Sequence, residues 1–154
     1  MKKGVIVSFV GLIFIITLLI IELQESQMTY YKLDTQLGDL NLNHFRIVAG
    51  GGQLIIPGGY ELQPLVAEEM TELSFTITLN QTMIYSSLMS GFEDAFTSEW
   101  SDRTLKLEQF DLKHENINVK PSDSLNITLS YYLDNELQTV TKSFSMDELA
   151  YDFT

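Results

Sequence analysis

The hydrophobic pattern divides the chain into two parts. An uncharged apolar run, GVIVSFVGLIFIITLLII, extends from Gly4 to Ile21, whereas short β-prone segments separated by glycines follow from Asn41. A helix formed by the apolar run would be roughly 27 Å long, close to the ~30 Å hydrocarbon core of a bilayer. The run therefore predicts a transmembrane helix at residues 5–21, and the alternative is a buried core helix of a soluble protein.

A thinner apolar stripe connects the two parts. Its members recur at spacings of seven, three, four and three residues, and they are Leu23, Tyr30, Leu33, Leu37 and Leu40. Spacings of three and four residues are typical of an amphipathic helix, and charged or amide side chains such as Glu25, Lys32 and Asp34 lie between them. We therefore predict that one helix leaves the apolar run and continues through residues 22–40.

The remaining residues, 41–154, have the pattern of an antiparallel β-rich domain. The clearest strand is Leu73–Leu79, where apolar and polar residues alternate. Turn residues at Gly50–Gly52 and Asp134–Asn135 predict hairpins, and apolar residues four apart favour a short helix around residues 83–96. The predicted fold class is α+β: a long N-terminal helix, membrane-spanning and then amphipathic, followed by an antiparallel, sandwich-like head.

Charge and composition limit the partners and the compartment. The chain has 21 acidic and nine basic residues, a formal net charge of −12, and no cysteine. Nucleic-acid binding requires clustered Lys and Arg, so we predict no nucleic-acid partner. Lys2 and Lys3 precede the apolar run, and Glu22 and Glu25 follow it. The positive-inside bias then predicts a cytoplasmic N-terminus and an extracytoplasmic C-terminal domain, and no A-x-A cleavage site follows the run.

The motif search indicates no catalytic site. His44 and His114 each lack a second histidine at metal-ligand spacing, and no serine lies in a G-x-S-x-G elbow. We predict no enzymatic activity and no cofactor, with an anchored hydrolase as an alternative if either histidine lies in a cleft beside a serine or a carboxylate pair. Two N-x-[ST] sequons make Asn80 and Asn126 candidate glycosylation sites.

The N-terminal arrangement resembles the type IV pilin-like superfamily. The basic leader Lys2-Lys3-Gly4, the apolar helix that starts at Val5 and the amphipathic continuation are similar to the leader of archaeal pilins and archaellins. The resemblance implies that a leader peptidase cleaves between Gly4 and Val5 and that the helix then packs into a filament. Phe9 stands where many bacterial pilins carry a glutamate, which separates the chain from the bacterial form.

The resemblance and the residues together define a predicted assembly surface. Gly4, Ser8 and Gly11 lie at small-residue spacing that permits close helix contacts, although such residues are also common in ordinary single spans. The leading hypothesis is a non-enzymatic pilin-like surface subunit, a minor pilin being one form, whose partners are the membrane, like or related subunits and the leader peptidase. The alternative is a permanently membrane-anchored extracytoplasmic binding or interaction domain. The predicted localisation is accordingly single-pass membrane, or a surface filament after processing.

Overall fold

A computed structural model of the protein describes residues 13, 15–17, 27–66, 70–89, 104–107 and 111–151. These residues form mainly antiparallel strands. The strands are β1 (Thr29–Leu37), β2 (Leu40–Gly50), β3 (Gln53–Ile56), β4 (Tyr60–Pro64), β5 (Met70–Leu79), β6 (Thr82–Met89), β7 (Leu105–Leu107), β8 (Leu112–Glu115), β9 (Ser124–Leu133), β10 (Glu136–Ser145) and β11 (Ala150–Tyr151). A one-turn helix, α1 (Met146–Leu149), lies between β10 and β11.

The strands are arranged in two sheets. Sheet A has the order β11-β1-β2-β3-β8, and β4 and β7 extend it beside the first half of β2. Sheet B has the order β10-β9-β5-β6. The chain passes from sheet B to sheet A at α1, where Met146 and Leu149 are buried and the N–H of Met146 donates to the carbonyl of Asp123 at 2.9 Å. This crossing places β11 beside β1.

The core lies between the two sheets. Alternate residues of β5 and β9 are buried because a strand points successive side chains to opposite faces. Tyr60 of sheet A is at the centre, with ring centroids 5.4 Å from Phe45, 5.9 Å from Phe75 and 6.4 Å from Tyr85. Tilted and edge-to-face aromatic pairs contribute about 0.5–1.5 kcal/mol each beyond their buried area. These contacts join the sheets into one sandwich.

The hairpin turns follow from residues that tolerate positive φ. Asn80 and Gln81 both have positive φ between β5 and β6, as do Asp134 and Asn135 between β9 and β10, which is the type I′ requirement. The predicted strand Leu73–Leu79 and the predicted turns at Gly50–Gly52 and Asp134–Asn135 are confirmed. The helix predicted around residues 83–96 is wrong over 83–89, which belong to β6, and residues 90–96 lie outside the described part.

The predicted α+β class with a long N-terminal helix is wrong. Residues 29–37 of the predicted helical extension form β1, and Leu40 begins β2. Leu33 and Leu37 are four residues apart, which fits two strand periods as well as one helical turn. Leu37 and Leu40 are three apart because they pair directly across a two-residue turn. The stripe therefore reflects a hairpin, with Tyr30 outside the core.

The predicted single-pass membrane topology also requires correction. Within the residues that the structure describes, no helix is long and apolar enough to cross a membrane. Residues 13 and 15–17 are helical, and the hydroxyl of Thr17 donates to the carbonyl of Ile13 at 2.9 Å. The other residues of Gly4–Ile21 lie outside the described part. The predicted transmembrane-helix and filament assignments consequently have no support here.

Candidate functional site

A depression on the outer face of sheet A combines aromatic and basic side chains. Its volume is about 400 Å³, within the range of ligand sites. We call it the tyrosine–arginine groove. The residues that line it are Tyr30, Tyr31, Lys32, His44, Arg46, Val48, Pro57 and Tyr151. Lys32, His44 and Arg46 are basic residues, and no acidic residue is among those that line the groove, although the net charge of the chain is −12.

Two tyrosines form one end of the groove. Tyr30 of β1 pairs directly with Tyr151 of β11, and on its other side it pairs with Val48 of β2. Directly opposed residues on one face of an antiparallel sheet have Cβ atoms about 4.5–5.5 Å apart. The two tyrosine side chains remain 44% and 53% exposed. The sheet therefore presents adjacent aromatic rings to solvent.

The basic residues lie one step further along the same strands. Lys32 of β1 pairs directly with Arg46 of β2, and like charges in this arrangement are destabilising. An ion pair between Lys32 and Asp34, with 2.9 Å between Nζ and Oδ2, reduces the repulsion between Lys32 and Arg46. Arg46 makes no ion pair within the described residues. Its guanidinium is thus available for an anion.

A bulge in the β1–β2 pair shapes the far end of the groove. The register shifts between Leu33 and Thr35, and His44 takes a positive φ. The backbone N–H of His44 donates to Oδ1 of Asp34 at 2.6 Å. Partial burial opposes ionisation of Asp34, but the hydrogen bonds from Lys32 and from the His44 N–H outweigh it, and the pKa of Asp34 is lowered. The carboxylate therefore stays ionised and holds Lys32 beside Arg46.

The outer face of sheet B is different because hydroxyl side chains pair with one another across its strands. Cross-strand hydroxyl pairs join Thr128 to Thr141 at 2.9 Å and Ser130 to Thr139 at 3.0 Å. Thr76 similarly lies 3.2 Å from Ser86. Most of these hydroxyls already have a protein partner. These paired hydroxyl groups therefore do not form an array of free hydrogen-bond donors for a ligand.

The two candidate glycosylation sites lie at one end of sheet B. Asn80 is exposed in the β5–β6 turn, and its Oδ1 accepts a hydrogen bond from the N–H of Ser124 at 2.9 Å. Asn126 is half-buried on β9, where its Nδ2 donates to the hydroxyl of Thr78 at 3.4 Å. Glycosylation at either position stays a prediction.

The predicted helix-packing residues are separated by the fold. Leu33, Leu37 and Leu40 are buried in the sandwich core, and Tyr30 faces the groove. Because all four lie on strands, they form no helix surface. The leader residues Gly4 and Val5 and the packing residues Ser8, Gly11 and Leu23 lie outside the described residues.

The structure places the two histidines on different strands of sheet A. His44 lines the groove without a serine or a carboxylate pair among the lining residues. His114 lies on β8, opposite Leu54 of β3. The absence of enzymatic activity itself stays a prediction.

The groove could not be recognised from sequence spacing. Tyr30 and Tyr151 lie near opposite ends of the chain, and only the crossing at α1 brings β11 to β1. One signal was present: Tyr30 and Lys32 alternate with buried Tyr31 and Leu33, which is the period of a half-exposed strand.

Comparison with known proteins gives little further information. No family model matches the chain, and no curated protein matches it. A solved structure described as "Crystal structure of Br derivative BhCBM56" is similar with a TM-score of 0.36 and 14% sequence identity, and the alignment covers 73% of this chain and 97% of that chain. A likeness of this size does not bear on the function.

Proposed function

We propose that this chain is a non-catalytic binding domain whose tyrosine–arginine groove binds a glycan that carries carboxylate groups. The observation that carries the proposal is the direct cross-strand pair of Lys32 and Arg46 beside two exposed tyrosines. Asp34 already pairs with Lys32, whereas Arg46 makes no ion pair within the described residues, in a strongly acidic chain. A ligand that carries negative charge would pair with Arg46.

The chemistry of the side chains defines the ligand. An arginine guanidinium matches a carboxylate in a bidentate geometry, and its hydrogen bonds to anions are stronger than neutral ones. Tyr30 and Tyr151 supply flat apolar area together with polar hydroxyls, and tyrosines are common in such amphipathic contacts. A sugar ring with a carboxylate offers both a flat face and the matching anion.

An acidic peptide fits the groove less well. Peptides that bind to sheets usually do so along a free strand edge, where the main chain forms hydrogen bonds. At the tyrosine end of the groove, Tyr30 and Tyr31 are paired on both sides, with β11 and with β2, and Val48 is paired with β1 and with β3, so this end offers no such edge. Nucleic acid is disfavoured because binding a phosphate backbone needs clustered Lys and Arg, whereas the groove is lined by one arginine and by one lysine that is already paired with Asp34.

Binding measured by titration calorimetry would test the proposal with three probes. Polygalacturonate carries both rings and carboxylates, its fully methyl-esterified form retains the rings without the charge, and polyglutamate carries carboxylates without sugar rings. We expect binding of polygalacturonate and at least tenfold weaker binding of the other two, or about 1.4 kcal/mol. Equal binding of polyglutamate would indicate an acidic peptide instead, and no binding of any probe would contradict the proposal.

Variants connect this binding to the groove. Arg46→Gln should weaken the binding of polygalacturonate about tenfold, and Arg46→Lys should restore only part of it because an ammonium lacks the planar fork. Tyr30→Ala should also weaken binding. Lys120→Gln removes one exposed positive charge outside the groove and is the matched control, expected to bind within about twofold of the unmodified chain. Equal losses in Arg46→Gln and Lys120→Gln would show that the contact is non-specific.

A further inference from the structure

Strand β10 is a long, regular edge that the described fold leaves unpaired on one side. It is the terminal strand of sheet B and pairs with β9 over ten residues without a register shift. By contrast, β6 at the other edge of sheet B is bulged against β5. Long regular edges promote pairing with another strand, and proteins usually interrupt or charge them.

The two charged residues of β10 limit which strand can pair with its free edge. Glu136 and Lys142 are both exposed, and both point to the face of β10 that is turned toward sheet A, because they are an even number of residues apart. The Lys142 ammonium donates to the hydroxyl of Thr35 at 3.3 Å, and it makes no ion pair within the described residues. A lysine at an edge opposes any incoming strand that does not place a carboxylate opposite it.

A second copy of β10 supplies that carboxylate. Glu136 and Lys142 lie three residues on either side of Thr139. When two copies pair antiparallel around a two-fold axis at Thr139, Glu136 of each copy lies directly opposite Lys142 of the other. The same register places Leu137, which is 59% exposed, opposite the other copy's Thr141. We propose that the chain forms a homodimer by antiparallel pairing of β10, which joins the two four-stranded sheets into one.

The expected dimer is weak. Seven residues from each copy, 136–142, form the ladder, and such an interface lies at the small end of the range for specific association. The two Glu136–Lys142 pairs give the register, while the net charge of −12 per chain opposes approach at low salt. The dimer is isologous, since each copy contributes the same strand.

Single cysteines provide a sharp test because the chain has none of its own. In the proposed register, Thr139→Cys places two thiols directly opposite each other, with Cβ atoms about 4.5–5.5 Å apart, close to disulfide geometry. Thr141→Cys is the matched control: Thr141 is exposed on the same face and, like Thr139, has one hydroxyl partner on β9. Its two copies would be about 13 Å apart.

The full chain is used, with a non-ionic detergent that shields the apolar run at Gly4–Ile21. Under mild oxidation, we expect a disulfide-linked dimer from Thr139→Cys, little from Thr141→Cys, and cross-linking when Leu137→Cys and Thr141→Cys are mixed. Equal cross-linking of the two single variants would overturn the proposal.

Charge exchange tests the same register without cysteines. Glu136→Lys and Lys142→Glu should each shift the sedimentation equilibrium toward monomer, because each places like charges opposite each other. A mixture of the two variants should dimerise again, since every facing pair is then of opposite sign. An unmodified chain that stays monomeric at all accessible concentrations, or single variants that dimerise as well as the unmodified chain, would contradict the proposal.

Discussion

The hydroxyl of Tyr131 connects the two sheets at a single residue. It donates to Oδ2 of Asp39 at 2.8 Å and accepts from the Asp39 N–H at 3.0 Å, in the turn between β1 and β2. The ring is 1% exposed. Tyr131→Phe removes both bonds and leaves a polar turn without its partner. We expect a loss of about 1–3 kcal/mol in the free energy of unfolding, measured by denaturant titration at neutral pH.

The pH dependence distinguishes these hydrogen bonds from packing. Burial raises the pKa of Tyr131 above 10, and the Asp39 carboxylate adds to the effect, although the bond from the Asp39 N–H opposes it. The hydroxyl therefore stabilises the fold fully below pH 10 and loses this contribution as the pH rises through its folded-state pKa. The free energy of unfolding of the unmodified chain should therefore approach that of Tyr131→Phe above pH 10. Tyr132→Phe, the half-buried neighbour on the opposite face, is the control, and an equal loss there would contradict the role of Tyr131.

At the scale of an element, the end of β2 depends on a close approach of the chain to itself. A Cβ atom on Gly50 would overlap the carbonyl oxygen of Gln27 and lie 2.9 Å from Cα of Met28. Both neighbours are backbone, so neither can rotate away. Gly50→Ala should therefore lower the free energy of unfolding by about 1–3 kcal/mol or more, measured as a lower denaturation midpoint.

The control for Gly50 is Gly59→Ala. Gly59 has a φ of +85°, so alanine is strained there, but its Cβ would meet nothing within 4 Å. This variant measures the cost of backbone strain without a clash. If Gly50→Ala were no more destabilising than Gly59→Ala, the contact between residues 27–28 and β2 would contribute nothing.

The elements also show where sequence reasoning succeeds. The alternation at Leu73–Leu79 has one interpretation, because every apolar residue is two apart, and β5 follows it. Leu33, Leu37 and Leu40 have two interpretations, since a spacing of four fits both periods and a spacing of three also spans a tight turn. Gly38, with a φ of +59°, is the first residue of that turn, and its position two residues before Leu40 was the available signal.

At the scale of the whole molecule, the groove depends on contacts that sequence order cannot predict. Tyr30 faces solvent because Tyr31 faces the core, which the period of a strand predicts once β1 is recognised. Tyr151 joins it only because α1 buries Met146 and Leu149 and carries the chain across to sheet A. Local patterns thus predict which face a side chain occupies, whereas pairing between distant strands decides which side chains meet.

The net charge of the chain should make its thermal stability depend on salt concentration. The chain carries −12, and the ion pairs Lys32–Asp34 and Lys113–Glu115 are both exposed, so self-repulsion should exceed ion-pair stabilisation. Raising NaCl from about 10 to 200 mM shortens the Debye length from ~30 Å to about 7 Å. We expect the melting temperature measured by calorimetry at pH 7 to rise by about 3 °C, which corresponds to roughly 1 kcal/mol. Near the isoelectric point of 4.3 the rise should vanish, because the net charge is zero there. The same rise at both pH values would show a salt effect unrelated to charge, and a fall at pH 7 would show that attractive pairs dominate.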